Sequence, residues 1–194
     1  MRRLRFVTTA ALAALAAGAG PALAHTGVGH TNGFLAGIGH PIGGLDHLLA
    51  MLAVGIWSAL SSRGQPGRIW VAPAAFVMAM LAGATAGYLQ LPLPLVETGI
   101  ALSVVLLGLM ILARVEVSVA VGAALVAVFA IYHGHAHGSE ATGAIVAYMA
   151  GFAVATAALH VAGIGLGLAM TRVRLAAPVA GAAIAAAGTY LLSA

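Results

Sequence analysis

Six apolar runs follow one another along almost the whole chain, and each is roughly 20 residues or longer. A helix of about 20 apolar residues spans the hydrocarbon core of a bilayer. A helix also satisfies its own backbone hydrogen bonds, whereas an open sheet edge cannot face lipid. The sequence therefore predicts an all-α, polytopic membrane protein with six transmembrane helices, at residues 34–60, 68–90, 94–113, 115–133, 141–170 and 175–193.

The composition agrees with a membrane protein and excludes several other classes. Hydrophobic residues make up 62% of the chain and charged residues 6%, whereas a soluble domain has about 25% charged residues. The net charge of +4 comes from scattered arginines without a lysine, so no basic face indicates nucleic-acid binding. The absence of cysteine excludes disulfides and thiolate metal ligands.

The N-terminus has the pattern of a secretory signal peptide. Met1–Arg5 carries three arginines, residues 6–17 are apolar, and Ala22-Leu23-Ala24 supplies a small-x-small cleavage site. An uncleaved extra helix is the alternative, although the apolar run is short for a span. We therefore predict a signal peptide at residues 1–24 and a single six-helix transmembrane domain at residues 25–194.

The arginines predict the direction of the spans. Arg63 and Arg68 lie in the first predicted connection, Arg114 in the third, and Arg172 and Arg174 in the fifth. Cytoplasmic loops are enriched in arginine and lysine, so the odd-numbered connections are expected in the cytoplasm. The protein is then expected in the cytoplasmic (inner) membrane, with both mature termini on the periplasmic side.

Two histidines and an aspartate interrupt the first apolar run, at His40, Asp46 and His47. Ionisable groups inside a membrane usually mark the path of an ion or substrate, which indicates a metal cation or a proton. Seven residues of regular helix would separate His40 from His47 by roughly 10 Å, too far for one metal ion to join them. Either the helix is broken at residues 41–44 or the two histidines are successive binding stations. Met51 could add a sulfur ligand or simply fill the core.

A second cluster of histidines covers residues 133–140. A helix would place His133, His137 and Glu140 on one face, and an extended segment would place His133, His135 and His137 on one side. The glycines between them favour a loop, and we predict a connection outside the membrane here.

Single polar residues extend the candidate metal site. Glu97 begins the third span, where the helix dipole also favours a carboxylate. His160 lies in the fifth span and has a core histidine as its alternative. His25 and His30 precede the first span and are either capture ligands or part of a polar tail. The predicted metal ligands are His40, Asp46, His47, Glu97, His133, His135, His137 and Glu140, with His25, His30, Met51 and His160 as weaker candidates.

The spacing His40-Pro41-x-x-Gly44-x-Asp46-His47-x-x-x-Met51, with Val54-Gly55 after it, resembles the signature of the HupE/UreJ family of nickel permeases. Residues 133–140 are similar to that family's second motif, as are Ala155-Thr156, Leu159-His160 and Gly163. The resemblance covers essentially the whole mature chain. It implies uptake of Ni²⁺, or in some members Co²⁺, and an indirect link to the maturation of hydrogenase or urease. It also implies that His40, Asp46, His47 and the His and Glu residues of the second cluster are essential.

These observations predict a secondary transporter of divalent transition-metal ions rather than an enzyme. The chain has no lysine, so it cannot contain the lysine of a nucleotide-binding P-loop. The expected partners are the metal ion and the lipid bilayer, without a nucleic acid and without a permanently bound cofactor. A homo-oligomer is compatible with the sequence. The alternatives are an intramembrane metal-dependent hydrolase and a metal sensor or buffer that does not transport.

Overall fold

The computed structural model describes residues 33–62, 64–141 and 144–194, and within these ranges the protein is helical without any strand. The all-α prediction is confirmed there. The predicted signal peptide, together with His25 and His30, lies outside the described residues. The described ranges contain α1 (Phe34–Gly43), α2 (Leu45–Ser61), α3 (Pro66–Ile69), α4 (Val71–Tyr88), α5 (Val96–Leu112), α6 (Val119–Glu140), α7 (Ile145–Met170) and α8 (Ala176–Ser193).

The helices are those of a multi-pass membrane protein. Four segments are long and apolar enough to cross a bilayer, namely Pro66–Tyr88, α6, α7 and α8. Helices α1 and α2 meet the same criterion only as a pair, which would make a fifth span. Helix α5 is apolar but has 17 residues, fewer than any of the four long segments. Four or five spans are therefore found in the described ranges, and the sixth stays a prediction.

The distribution of polarity is inverted relative to a soluble protein. Large apolar side chains point outward, such as Leu35 at 78% exposure and Val146 at 80%. By contrast, His133, His137 and His160 are all buried, at 1% exposure or less. Apolar side chains on the outside fit a lipid environment, while the buried histidines are candidates for a functional site.

The first predicted span is broken rather than straight. Gly44 has extended backbone angles, φ −98° and ψ 123°, and separates α1 from α2. The two helices are bent by 86° at this point. Pro41 lies inside α1 and is buried, so the break itself falls at Gly44. Of the two alternatives for His40 and His47, the broken helix is the observed one.

The predicted connection at residues 133–140 is wrong, because α6 continues as a helix to Glu140. Its glycines are contact points rather than loop residues. A Cβ built on Gly134 would collide with the Met80 carbonyl oxygen of α4, and one on Gly138 with that of Ala84. Small residues let helix backbones approach closely in a membrane, where lipid provides no hydrophobic drive for association. The short side chains therefore hold α6 against α4.

The connections that carry arginines meet at one end of the molecule. The Arg114 guanidinium donates a hydrogen bond to the Arg174 carbonyl oxygen at 2.6 Å. The Trp57 indole, near the end of α2, donates to the Val115 carbonyl oxygen at 2.9 Å. Arg68 lines a cavity of about 290 Å³ beside Trp57. The first, third and fifth connections thus lie together, which is the arrangement that the positive-inside rule requires of cytoplasmic loops.

Candidate functional site

Four histidines from three helices form one group, which we call the histidine cluster: His40 (α1), His47 (α2), and His133 and His137 (α6). His47, His133 and His137 are buried, and His40 is half-buried. The His137 ring centroid lies 4.3 Å from that of His40 and 4.3 Å from that of His47. The His47 and His133 centroids are 4.6 Å apart. The break at Gly44 makes this possible, because His137 contacts both histidines of the first predicted span.

The two faces of α6 explain the composition of its C-terminal half. His133 and His137 are four residues apart and therefore share a face. Gly134 and Gly138 are also four residues apart and share the neighbouring face, which contacts α4. The same turn of helix thus provides close packing on one side and two imidazoles on another.

The Asp46 carboxylate fixes the tautomer of His47. Asp46 Oδ1 accepts a hydrogen bond from the His47 backbone N–H at 2.7 Å and another from His47 Nδ1 at 2.7 Å. Because a carboxylate only accepts, Nδ1 carries the proton and Nε2 keeps its lone pair. Nε2 is buried and has no hydrogen-bond partner among the described residues. Its lone pair is thereby left for a cation, in the arrangement found behind many metal-bound histidines.

Gly44 leaves room for this pair of residues. A Cβ at Gly44 would lie 2.7 Å from Asp46 Oδ1 and 3.3 Å from His47 Nδ1. The glycine therefore leaves the space in which the carboxylate contacts the imidazole, in addition to separating the two helices.

His133 is oriented by Ser103 of α5. The Ser103 hydroxyl donates to the Ile100 carbonyl oxygen at 2.6 Å, and its oxygen lies 2.9 Å from His133 Nε2. The hydroxyl has only one hydrogen, so His133 Nε2 is the donor in the second bond. His133 Nδ1 then keeps its lone pair, and it too is buried without a partner in the part of the chain described.

Aromatic rings of α7 pack against the histidine cluster. The Phe152 ring centroid is 4.1 Å from that of His137, and the Tyr148 centroid is 5.9 Å from that of His40. Both rings belong to α7 and are buried. Apolar surroundings strengthen the attraction between a cation and nearby ligands, because the effective dielectric constant is low.

A cavity of about 320 Å³ lies beside Asp46. Asp46, Glu97 and Thr98 line it, together with the last residues of α8. Glu97 lies in the first turn of α5 and is exposed, as predicted for the start of the third span. A straight span would have carried Asp46 about halfway through the membrane. The bend instead places it in the first turn of α2, beside the same cavity as Glu97.

The imidazoles contact one another without forming a ready coordination sphere. The ring pairs within the cluster meet edge to face. Across residues 33–62, 64–141 and 144–194, no group of three or more His, Asp or Glu side chains is arranged to hold a metal ion. Binding of a cation would therefore require the rings to rotate. Glu140, the last residue of α6, is exposed at the end of the helix.

Two predicted ligands occupy other positions. His135 Nε2 donates to the Leu91 carbonyl oxygen at 2.7 Å, which ties α6 to the connection after α4. No ring contact joins His135 to the histidine cluster within the described ranges. Met51 is fully buried, and its carbonyl oxygen accepts a hydrogen bond from His160 Nδ1 at 2.8 Å. The described contact of Met51 thus uses its backbone, not its sulfur.

The residues that support the histidines were not predicted from the sequence. Ser103, Phe76, Tyr148 and Phe152 all contact a histidine of this site. Ser103 gave a weak signal, as a polar residue inside an apolar span. The aromatic residues gave none, because an aromatic side chain is ordinary in a membrane helix.

Comparison with known proteins places this sequence in a family. The sequence model described as "HupE / UreJ protein" matches residues 12–191. The curated protein named "Protein HupE" from Rhizobium leguminosarum bv. viciae is 46% identical over 196 residues, which covers 95% of this chain and 96% of that protein. No solved structure matches the chain. The chain belongs to the HupE/UreJ family, a family of transport and accessory proteins rather than enzymes.

Proposed function

We propose that the protein is a secondary transporter that takes up Ni²⁺ or Co²⁺ across the cytoplasmic membrane. The observation that carries this proposal is the histidine cluster beside Asp46, of which three imidazoles are buried. Imidazole nitrogen and carboxylate oxygen are ligands suited to these ions. Hydrogen bonds hold His47 and His133 with one lone pair each directed away from its partner.

The loose arrangement of the rings supports transport over storage. A conducting site must bind its ion well enough to admit it and weakly enough to release it. Histidine rings that meet edge to face, and must rotate to share an ion, suit such transient binding. A structural or storage site would hold its ligands in a fixed geometry.

Of the two alternatives, the intramembrane hydrolase is excluded, because the family is not one of enzymes. A sensor or buffer would use the same ligands. It would differ from a transporter only in that no metal accumulates inside the cell or vesicle. The experiment below separates the two.

We propose that metal enters from the end that contains Asp46 and Glu97. In this topology residues 1–24 are a cleaved signal peptide and residues 25–194 form a six-span domain, with α5 as the span not yet established. The arginine-bearing end faces the cytoplasm, and both mature termini face the periplasm. Glu140 then lies on the entry side, where it is a candidate for metal capture, and the topology predicts the same role for the N-terminal His25 and His30.

The membrane potential is sufficient as a driving force. Two positive charges that move inward gain about 4.6 kcal/mol per 100 mV, from about 2.3 kcal/mol per charge. At about 1.4 kcal/mol per tenfold change, this corresponds to roughly a thousandfold accumulation. The family resemblance further implies that the metal is destined for hydrogenase or urease maturation.

The test is accumulation of ⁶³Ni²⁺ and ⁵⁷Co²⁺ in proteoliposomes with an imposed potential, negative inside. We expect wild type to accumulate both ions above the level of empty vesicles, and His47→Ala to reduce uptake to that background. The reduction follows because the substitution removes the imidazole that contacts both His133 and His137. Competition with Cu²⁺ and Zn²⁺ would measure selectivity.

Uptake by His47→Ala at the wild-type rate would contradict the proposed site. Wild type that binds Ni²⁺ without accumulating it would contradict transport and favour the buffer. Reversal of the imposed potential serves as the control for electrogenic uptake, because it should abolish accumulation without altering binding.

Two substitutions of His135 distinguish a metal ligand from a residue that only holds the connection after α4. We expect His135→Gln to retain most uptake, because the glutamine amide N–H can replace Nε2 as donor to the Leu91 carbonyl oxygen. His135→Ala removes that hydrogen bond, worth about 1 kcal/mol, and is expected to lower the thermal stability of the purified protein. Equal and severe loss of uptake in both variants would instead indicate that His135 binds the metal.

A further inference from the structure

His160 is a buried histidine that the histidine cluster does not include. It lies in α7 with 1% exposure. Its Nδ1 lies 2.8 Å from the Met51 carbonyl oxygen, and because a carbonyl only accepts, Nδ1 is the donor. Nε2 therefore keeps its lone pair, and it has no hydrogen-bond partner in the described ranges. An unpaired buried polar atom of this kind is costly and calls for an explanation.

A soft and a polar group lie one helical turn from His160, between α4 and α7. The Thr156 hydroxyl donates to Met80 Sδ at 3.5 Å, and both residues are fully buried. Thr156 and His160 lie four residues apart on α7, and Phe76 and Met80 lie four residues apart on α4, so each pair shares a face. The Phe76 ring centroid is 5.1 Å from that of His160. The imidazole, the thioether and the hydroxyl therefore belong to one contact region between α4 and α7.

Phe76 lies between this region and the histidine cluster. Its ring centroid is 5.8 Å from that of His133 and 5.1 Å from that of His160. Met51, which holds His160, follows His47 by one turn in the direction of Trp57 and the arginine-bearing end. His160 of α7 therefore contacts α2 one turn beyond His47, in the direction of the proposed cytoplasmic side.

We propose that His160 Nε2, Met80 Sδ and Thr156 Oγ1 form a second, inner binding station for the transported Ni²⁺ or Co²⁺. This inference rests on the proposed function and adds a site to it. None of the three side chains is charged, whereas Asp46 stands beside the outer cluster. A neutral site of imidazole, thioether and hydroxyl holds a divalent ion less tightly, which favours its release toward the cytoplasm.

The alternative is a core histidine whose only role is its hydrogen bond to Met51. His160→Asn separates the two roles, because the asparagine amide nitrogen occupies the position of Nδ1 and can still donate to the Met51 carbonyl oxygen. Only the Nε2 ligand is lost. A purely structural role therefore predicts that His160→Asn behaves as wild type, whereas an inner station predicts that it does not.

The experiment combines Co²⁺ binding to the purified full-length protein with ⁵⁷Co²⁺ uptake in proteoliposomes. We expect His160→Asn to bind one Co²⁺ fewer than wild type and to transport about 10- to 100-fold more slowly, the range found when support of a metal site is removed. Wild-type stoichiometry and uptake in His160→Asn would overturn the proposal. If wild type binds Co²⁺ but does not accumulate it, the proposed transport function is wrong. The number of Co²⁺ ions bound by wild type and by His160→Asn still tests the inner station.

Met80 provides a second test that does not depend on the folding of the His160 variant. Cobalt X-ray absorption of the loaded wild type should show a sulfur neighbour, which Met80→Leu should remove. Met78→Leu is the matched control, since Met78 lies on the same helix with 69% of its side chain exposed. A cobalt spectrum without sulfur in wild type, or unchanged in Met80→Leu, would overturn the role of the thioether.

Discussion

Asp46→Asn is expected to lower Ni²⁺ uptake about 30-fold or more while the protein stays folded. Removal of one partner from a buried pair of charges costs about 2–5 kcal/mol, and about 1.4 kcal/mol corresponds to tenfold. Asp46 is 6% exposed and is the buried carboxylate next to the histidine cluster. A divalent ion there would lose the negative charge that offsets its own desolvation.

The substitution changes the charge and preserves the geometry. Asparagine has the shape of aspartate, and its Oδ1 can still accept both hydrogen bonds from His47. The tautomer of His47 is then unchanged, with Nε2 available as a ligand. A loss of uptake would therefore report on the negative charge itself and not on a misplaced imidazole.

The measurement is the initial rate of ⁶³Ni²⁺ uptake in proteoliposomes over a range of concentrations. Glu116→Gln is the matched control, because it also removes one carboxylate but lies at the arginine-bearing end. We expect that control to transport as wild type. Asp46→Asn that transports at the wild-type rate, with an unchanged half-saturating concentration, would show that the carboxylate does not contribute to ion binding.

The helical membrane character was predictable because it depends on the length and composition of each apolar run. Those properties are local, and they gave four of the six predicted spans directly as long helices. The bend at Gly44 was left open between two alternatives, since a proline and two glycines within a run permit a break without requiring one. Contact of α1 and α2 with α7 accompanies the break, and sequence alone does not reveal that contact.

The second cluster was predicted as a connection because glycine is a poor helix former in water. In a membrane the same residue is common where two helices approach closely. Gly134 and Gly138 are in such a contact with α4, and α6 therefore remains helical through all three of its histidines. The low helix propensity of glycine therefore gave the wrong prediction here, because its small size decides the structure at this contact.

Among the site residues, spacing predicted which groups share a helix face but not which face meets another helix. His133 and His137 were predicted as one face, and that face meets His47 and His40. His135 was assigned to the same site because an extended segment would place it on one side with His133 and His137. On a helix it points elsewhere, to the Leu91 carbonyl oxygen.

Gly134→Ala is expected to destabilise the protein and to abolish uptake. The added methyl group would collide with the Met80 carbonyl oxygen and come within 2.8 Å of the Ala84 backbone nitrogen. Both are backbone atoms, so α4 and α6 must move apart, at a cost of about 1–3 kcal/mol. The shift would also displace His133 and His137, which lie on either side of this contact along α6.

Gly165→Ala is the matched control, because a Cβ at that position in α7 meets nothing within 4 Å. Alanine is favoured over glycine in a helix by about 1 kcal/mol, so this variant should be at least as stable as wild type. The measurement is the thermal unfolding midpoint of detergent-purified protein, followed by ⁶³Ni²⁺ uptake. If Gly134→Ala were as stable as Gly165→Ala and transported normally, the close contact of α4 with α6 would not hold the histidine cluster together. A lower midpoint and loss of uptake in Gly134→Ala alone would show that a glycine without any ligand atom determines where the imidazoles lie.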